Sequence, residues 1–324
     1  MALLAISFIV DSIAVHYWEN WFTRLLYFTA GTWLGLGLAI LAFSIFAWIL
    51  ILLGKMLGFS LSGQIIGSAV LAAGFALTAY GLWNAGQLTA KTVEIKISGL
   101  PSAWQGKSIV QLSDVHLGVV LRPGFIKEIV RRVNQIKPEM VVITGDYYDG
   151  MDGEMDDLAD PLNELDAPRG VYFITGNHET YLGLEKVYAA LAKTKVRVMK
   201  NETADVDGLE LIGLGNPADF NRGEQPAEIL KALKPKRPNI LLYHNPALAE
   251  KFAATGLVDL MLSGHSHNGQ LWPIRYISRL VYGRFVTGLN RVGDFQIYTS
   301  PGIGTWGPPI RTGNQPEITV IKLQ

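Results

Sequence analysis

Five short polar cassettes, each following an apolar run of strand length, constrain this chain more than any other feature. Ser108–Leu112 leads to Asp114-Val115-His116, and Met140–Ile143 to Gly145-Asp146-Tyr147-Tyr148-Asp149. Val171–Ile174 leads to Gly176-Asn177-His178-Glu179, and Ile240–Tyr243 to His244-Asn245-Pro246. Val258–Leu262 leads to Gly264-His265-Ser266-His267. Five of the six histidines lie in these cassettes. In an open α/β sheet, ligands bind where strands end and loops begin, so the five cassettes are expected to meet at one end of a sheet.

The apolar runs alternate with stretches of helical spacing at Phe125–Ile136, Leu184–Lys193, Glu224–Leu233 and Pro246–Thr255. The last begins with proline in its first turn and stops at Gly256. Lys91–Ile97 alternates as a strand. After Gly264 no helix is expected. Gln270–Ile274, Arg284–Leu289, Gln296–Thr299 and Ile318–Leu323 read as strands joined by Gly/Pro turns. The fold class is α/β, with two mixed sheets between helices in a four-layer αββα sandwich. No repeat of solenoid period is present, and the acidic stretch Asp149–Asp166 reads as a solvated helix or loop.

The first ninety residues differ in kind. Their only charges are Asp11, Glu19, Arg24 and Lys55. Leu25–Gly54 carries none, and a helix of that length exceeds a hydrocarbon core of about 30 Å. Residues 60–84 form a second span, with Tyr80 and Trp83 at the expected interface. Ala2–Val15 is a marginal third, interrupted by Asp11 and lacking the basic start of a secretory signal. Gly31, Gly35 and Gly37 would allow close helix packing, ordinary glycine tolerance being the alternative. The expected division is a transmembrane region over 1–90 and a soluble domain over 91–324, at the cell membrane and multi-pass. One basic residue at each end of the long span leaves the side of the 91–324 domain undetermined. Formal charges balance to +0, so no basic surplus advertises nucleic acid, and no nucleic acid partner is expected. The chain has no cysteine, which excludes disulfides and thiolate metal sites.

The donor set without sulfur suits Mn²⁺, Fe²⁺ or Zn²⁺ better than Ca²⁺. Asp114 and His116 are two residues apart and share a face in an extended segment. Asp146 has two oxygens with which to bridge two cations. Asn177 offers a neutral amide oxygen, and His244, His265 and His267 supply imidazole. Two divalent cations about 3.5–4 Å apart clamp a phosphoryl group and acidify a water between them. His178, next to Asn177, is the candidate acid for a leaving oxygen. Asp149 and Glu179 are candidates to orient imidazoles from behind the ligands. A lone histidine in such a protein is more often structural than a ligand, but that account would have to explain five cassettes separately. Arg311 could reach a phosphate bidentately, an exposed tail arginine being equally compatible. Trp272 and Trp306 are rim or mouth candidates. Arg275–Arg291, where arginines alternate with apolar residues, reads either as a surface touching lipid headgroups or as a sheet-edge hairpin.

The order Asp-x-His, Gly-Asp-x-x-Asp, Gly-Asn-His-Glu, His and Gly-His-x-His resembles the calcineurin-like metallophosphoesterase superfamily over residues 105–324. Leu112–Gly118 and the tail from Ser300 through Pro309-Ile310-Arg311 to Ile318 are similar to a membrane-associated or exported bacterial subgroup. The resemblance implies one cation held by Asp114, His116, Asp146 and His267. A second would be held by Asp146, Asn177, His244 and His265, with His178 catalytic.

Together these readings predict a membrane-anchored, dinuclear metal-dependent phosphoesterase that attacks a phosphodiester or pyrophosphate with metal-activated hydroxide. Its partners would be the lipid bilayer and an amphiphilic, lipid-linked substrate. The competing readings are a nucleotide phosphodiesterase or nuclease on the same scaffold, and a metal-stabilised binding domain without turnover.

Overall fold

A computed structural model describes residues 2–59, 62–150, 155–217 and 225–324, with side chains from Ile6 onward. The expected span at 60–61, the acidic stretch at 151–154 and the helix start at Glu224 fall outside the described residues.

Two six-stranded mixed sheets carry the chain from Leu88 on. The first has strands β1 (Thr89–Ile95), β2 (Ser108–Leu112), β3 (Met140–Thr144), β4 (Val171–Ile174), β5 (Arg197–Val198) and β12 (Glu317–Leu323), in the order β1-β12-β2-β3-β4-β5. The second has β6 (Glu202–Val206), β7 (Leu209–Gly213), β8 (Asn239–Leu242), β9 (Leu260–Ser263), β10 (Gly288–Val292) and β11 (Phe295–Thr299), in the order β10-β11-β9-β8-β7-β6.

Strand register brings the cassettes level. Parallel β2, β3 and β4 align Leu112 with Ile143 and Ile143 with Phe173, so their polar loops start at one height. In the other sheet Leu242 of β8 faces Leu262 of β9. Gln111 ties the sheets together below the loops: its buried Nε2 donates to Thr144 Oγ1 at 2.9 Å and to Ser263 O at 2.8 Å. A buried amide left unpaired would cost on the order of 1–3 kcal/mol, so this link pins one sheet to the other where the site begins.

Alternation along each strand divides the core into three layers. Ile109, Val142, Ile174, Leu211, Ile240 and Leu262 fill the space between the sheets. On the outer face of the first sheet, Val110, Val141 and Phe173 pack under α4 (Pro123–Ile136), α5 (Met155–Ala159), α6 (Asn177–Leu182) and α7 (Leu184–Leu191). On the outer face of the second, Ile212, Leu241 and Met261 pack under α8 (Pro226–Leu233) and α9 (Ala249–Thr255). The α4 helix buries Ile126, Ile129, Val130 and Val133. These positions recur every three to four residues, as a helix lying on a sheet requires. This is the expected four-layer sandwich.

A second compact unit comprises 1–87 with two later segments, 269–277 and 305–315. It contains α1 (Ala2–Tyr17), α2 (Trp21–Met56) and α3 (Gly63–Ala85). The α2 and α3 helices, of 36 and 23 residues, are long and apolar enough to cross a membrane; α1, at 16 residues, is shorter than a span needs. Asn20 caps α2, accepting from the amides of Phe22 and Thr23. The glycines of these helices receive the later segments. A Cβ on Gly35 would sit 2.2 Å from Ile310 Cδ1, one on Gly31 would sit 3.0 Å from Pro309 Cδ, and one on Gly81 would sit 2.8 Å from Thr312 Cγ2. Asn84 Nδ2 donates to the carbonyls of Arg311 and Asn314, each at 3.0 Å. Gln270 joins the two segments, its Nε2 donating to the carbonyls of Trp306, Pro308 and Ile310.

The region after Gly264 departs from expectation. Helices do not vanish there: Ile274–Tyr282 forms α10. Gln270–Ile274 is not a strand, and Arg284–Leu289 is mostly a 3₁₀ turn before β10. The sheet-edge hairpin proposed for Arg275–Arg291 is therefore replaced by a helix, a turn and one strand. Apolar pairs at Tyr276-Ile277 and Leu280-Val281 recur four residues apart, which fits a helix period and not a strand period.

Candidate metal centre

Five loops deliver the cassette side chains to one place, and their backbones are bent to do so. Asp114, His116, Asp146, His265 and His267 all hold positive φ, between 49° and 70°. Each non-glycine residue in that region costs on the order of 1–3 kcal/mol, and such strain collects at functional sites. Gly176 and Gly264 let neighbouring backbone come close. A Cβ on Gly264 would lie 2.0 Å from Ser113 Oγ and 2.1 Å from Asp114 Oδ2, and one on Gly176 would lie 2.2 Å from Asp146 Oδ1.

Asp114, His116 and His267 form one group of donors, with ligand atoms all within 4.8 Å. His116 Nε2 and His267 Nε2 are 3.0 Å apart, and His267 Nε2 lies 3.3 Å from Asp114 Oδ1. Asp114 is held from behind by Ser113 Oγ at 2.5 Å and by the His265 amide at 2.9 Å. Burial pushes its carboxyl above the ordinary range.

Asp146, His244 and His265 form another such group. His244 Nδ1 lies 2.7 Å from Thr144 O, so that nitrogen carries a proton and donates, while Nε2 faces Asp146 Oδ2 at 3.0 Å. Burial disfavours the His244 imidazolium, but the charges of Asp146 and Asp114 reverse this and push it up to about 10. Burial likewise opposes the Asp146 carboxylate, and His244 outweighs it, holding that carboxyl well below the usual range. His265, buried beside His244, is pushed down to about 4. Asn177, at the start of α6, turns a buried Oδ1 that has no hydrogen-bond partner among the described residues.

His178 stands between the groups. Its ring meets that of His116 edge-on at 4.6 Å, its amide donates to Asp146 Oδ1 at 2.9 Å, and its Nδ1 lies 2.8 Å from Asp149 O. With His116 and Asp149 it forms a third cluster of donor atoms within 4.8 Å. Burial, and then the neighbouring His116, lower its pKa. Asp149 Oδ1 is 3.4 Å from His116 Nδ1; burial pushes its carboxyl up to about 7. Glu179 does something else. Its carboxylate accepts from the amides of Gly176, Asp146, Tyr147 and Tyr148 at 2.7–3.2 Å, so it shapes two loops rather than orienting a ring. Burial and the charge of Asp146 push it up to about 7.

The donors fit divalent cations. A cation about 2.1 Å from each ligand holds neighbouring donors roughly 3.0–3.4 Å apart, and the separations His116–His267, His267–Asp114 and His244–Asp146, at 3.0, 3.3 and 3.0 Å, fall there. The partnerless Asn177 oxygen points the same way.

Arg311 belongs to neither group. It is fully buried, its amide donating to Gly81 O at 3.0 Å and its Nη1 to Gln315 O at 3.5 Å, which overturns the exposed-tail alternative. Trp272 packs its ring 5.2 Å from Phe43 of α2, while Trp306 is exposed. Two tyrosines escaped the sequence reading. The Tyr181 ring lies 5.2 Å from that of His178, and the Tyr282 ring meets His265 edge-on at 5.9 Å. Tyr181 lies three residues after His178, a helical neighbour that spacing could have revealed; nothing local links Tyr282 to His265.

Carboxylates and imidazoles gathered at the strand ends of two stacked mixed sheets define an αββα sandwich with donor clusters that could hold metal ions. The calcineurin-like phosphoesterase family model matches residues 107–269. A metallophosphoesterase of Campylobacter jejuni is 33% identical over 239 residues, covering 72% of this chain and 63% of that protein. A bovine (Bos taurus) transmembrane protein with metallophosphoesterase domain is 34% identical over 267 residues, covering 76% of this chain and 60% of that one. Metallophosphoesterase YkuE of Bacillus subtilis is 33% identical over 246 residues, covering 71% and 83%. The chain belongs to the calcineurin-like phosphoesterase family. It spans less than two thirds of the length of the Campylobacter and bovine relatives.

Proposed function

We propose that this chain is a membrane-anchored phosphoesterase that uses two divalent cations to hydrolyse a phosphodiester or pyrophosphate. One cation is assigned to Asp114, His116, Asp146 and His267, the other to Asp146, Asn177, His244 and His265. Residues 1–90 are assigned as a multi-pass membrane region and 91–324 as the catalytic domain. The observation that carries the reading is the convergence of Asp114, His116, Asp146, His244, His265 and His267, with His178 and Asp149 beside them, in groups whose donor atoms lie within 4.8 Å.

Bound cations supply Lewis acidity, polarising phosphoryl oxygens and acidifying water. The chain's own residues do the rest. His178 donates through Nδ1 to Asp149 O, which fixes the ring and leaves Nε2 to handle a proton. An anionic phosphoryl group beside that ring favours the imidazolium that burial disfavours. The imidazolium then passes its proton to the leaving oxygen. Glu179 and Gly176 hold the Asp146 and Asn177 loops in register. A substrate anchored in the same bilayer, a lipid-linked phosphoester, is the class that membrane tethering favours.

The test uses the full chain in lipid nanodiscs loaded with Mn²⁺, with bis(p-nitrophenyl) phosphate as substrate. Turnover is expected, and His178→Ala should lower kcat by about 10²–10⁴ while leaving bound Mn²⁺ unchanged. Full activity in that variant overturns the acid role. Two bound cations without turnover overturn the hydrolase reading.

A further inference from the structure

The α10 helix is exposed in a way that the catalytic fold does not explain. None of its nine residues is buried, and Tyr276, Ile277, Leu280 and Val281 are 57%, 60%, 86% and 66% exposed. Adjacent apolar pairs four positions apart put all four on one side of the helix. Arg275, Ser278 and Arg279 take the other positions. Between Asp259 and Asp294 the chain has four arginines (275, 279, 284 and 291) and no acid. An apolar stripe flanked by arginine is the pattern of a helix that lies in a bilayer interface.

The same compact unit argues for what covers it. The first turn of α10 belongs to the unit of α1–α3, and Trp272, two residues before the helix, stacks near Phe43 of α2. Beyond Phe43, α2 runs thirteen residues further to Met56, about 20 Å. Ile45, Phe46, Trp48, Ile49, Leu52 and Leu53 are exposed along that stretch. Helices so apolar insert in lipid, and the first turn of α10 belongs to the same compact unit as they do.

We propose that α10 is a membrane-surface helix, with Tyr276, Ile277, Leu280 and Val281 seated among lipid tails and Arg275 and Arg279 on the phosphates of anionic lipids. At its C-terminal end Tyr282 packs on His265. Seating α10 therefore sets the donor groups against the headgroup layer. This consequence for substrate rests on the phosphoesterase reading; the seating itself does not.

The absence of cysteine permits single-site labelling of the full chain. Leu280→Cys carries an environment-sensitive fluorophore in nanodiscs of phosphatidylcholine with or without phosphatidylglycerol. Val281→Cys serves as a second site, and exposed Glu185→Cys as an aqueous control. Labels at 280 and 281 should be quenched by spin-labelled lipid and shielded from aqueous iodide, and the label at 185 the reverse. Arg275→Gln and Arg279→Gln should each shift the seated-to-lifted ratio about fivefold in anionic lipid and little in neutral lipid. Iodide quenching at 280 and 281 equal to that at 185 overturns the proposal. So does shielding that appears only at high protein density without lipid quenching, because a second copy then covers the face. Turnover is not read, so loss of the enzyme reading would leave these outcomes intact.

Discussion

At the scale of single residues, the site depends as much on what holds the donors as on the donors. Glu179 satisfies four buried amides from two loops. Glu179→Gln turns an amide N–H toward those donors, so Mn²⁺ affinity should fall about 10–100-fold, read by titration with electron paramagnetic resonance. Unchanged affinity would show that the loops hold their shape without it. Proton linkage gives a second check. In the metal-free site His244 titrates at about 10, so below that pH it carries a proton that a cation must displace. The metal-free state binds more protons, and affinity must rise with pH up to about 10. Calorimetry at pH 8 in buffers of different ionisation enthalpy should register proton release on Mn²⁺ uptake. The cassettes were legible in sequence because polar residues interrupt apolar runs there. The positive φ of five cassette residues was not, because that strain is imposed by the loops packed around them.

At the scale of elements, the buried strands were readable because an apolar run bounded by polar loops leaves few alternatives. The short strands β5 and β6, at the sheet edges, and β7 beside β6 are hard to see in the sequence, since their mixed polarity resembles loops. The α10 helix is masked in the sequence because the surrounding Gly/Pro punctuation outweighs its four-residue apolar spacing. The glycines of α2 are open in sequence to close helix packing or to ordinary tolerance; in the structure Gly31 and Gly35 receive Pro309 and Ile310, and Gly31 also faces Phe8 of α1. Gly35→Val should therefore cost about 1–3 kcal/mol through overpacking, and less in an Ile310→Val background. Thermal unfolding in nanodiscs measures both; equal costs in the two backgrounds would remove the contact from the account.

At the scale of the whole molecule, the first ninety residues and the sandwich answer different physical demands. The helices expose Ile, Leu, Phe and Trp that only lipid or protein can cover. The sandwich instead buries its apolar residues in three layers. That contrast was visible in the sequence as a step in charge density near residue 90. The inclusion of 269–277 and 305–315 with the helices was not, because it depends on contacts between distant segments.

The central claim is a pair of cations held by these seven side chains. Anomalous diffraction from crystals of the full chain loaded with Mn²⁺ tests it directly. Two peaks are predicted about 3.5–4 Å apart, one among Asp114, His116 and His267 and the other among Asn177, His244 and His265, with Asp146 between them. A single peak, or peaks away from these residues, would contradict the account.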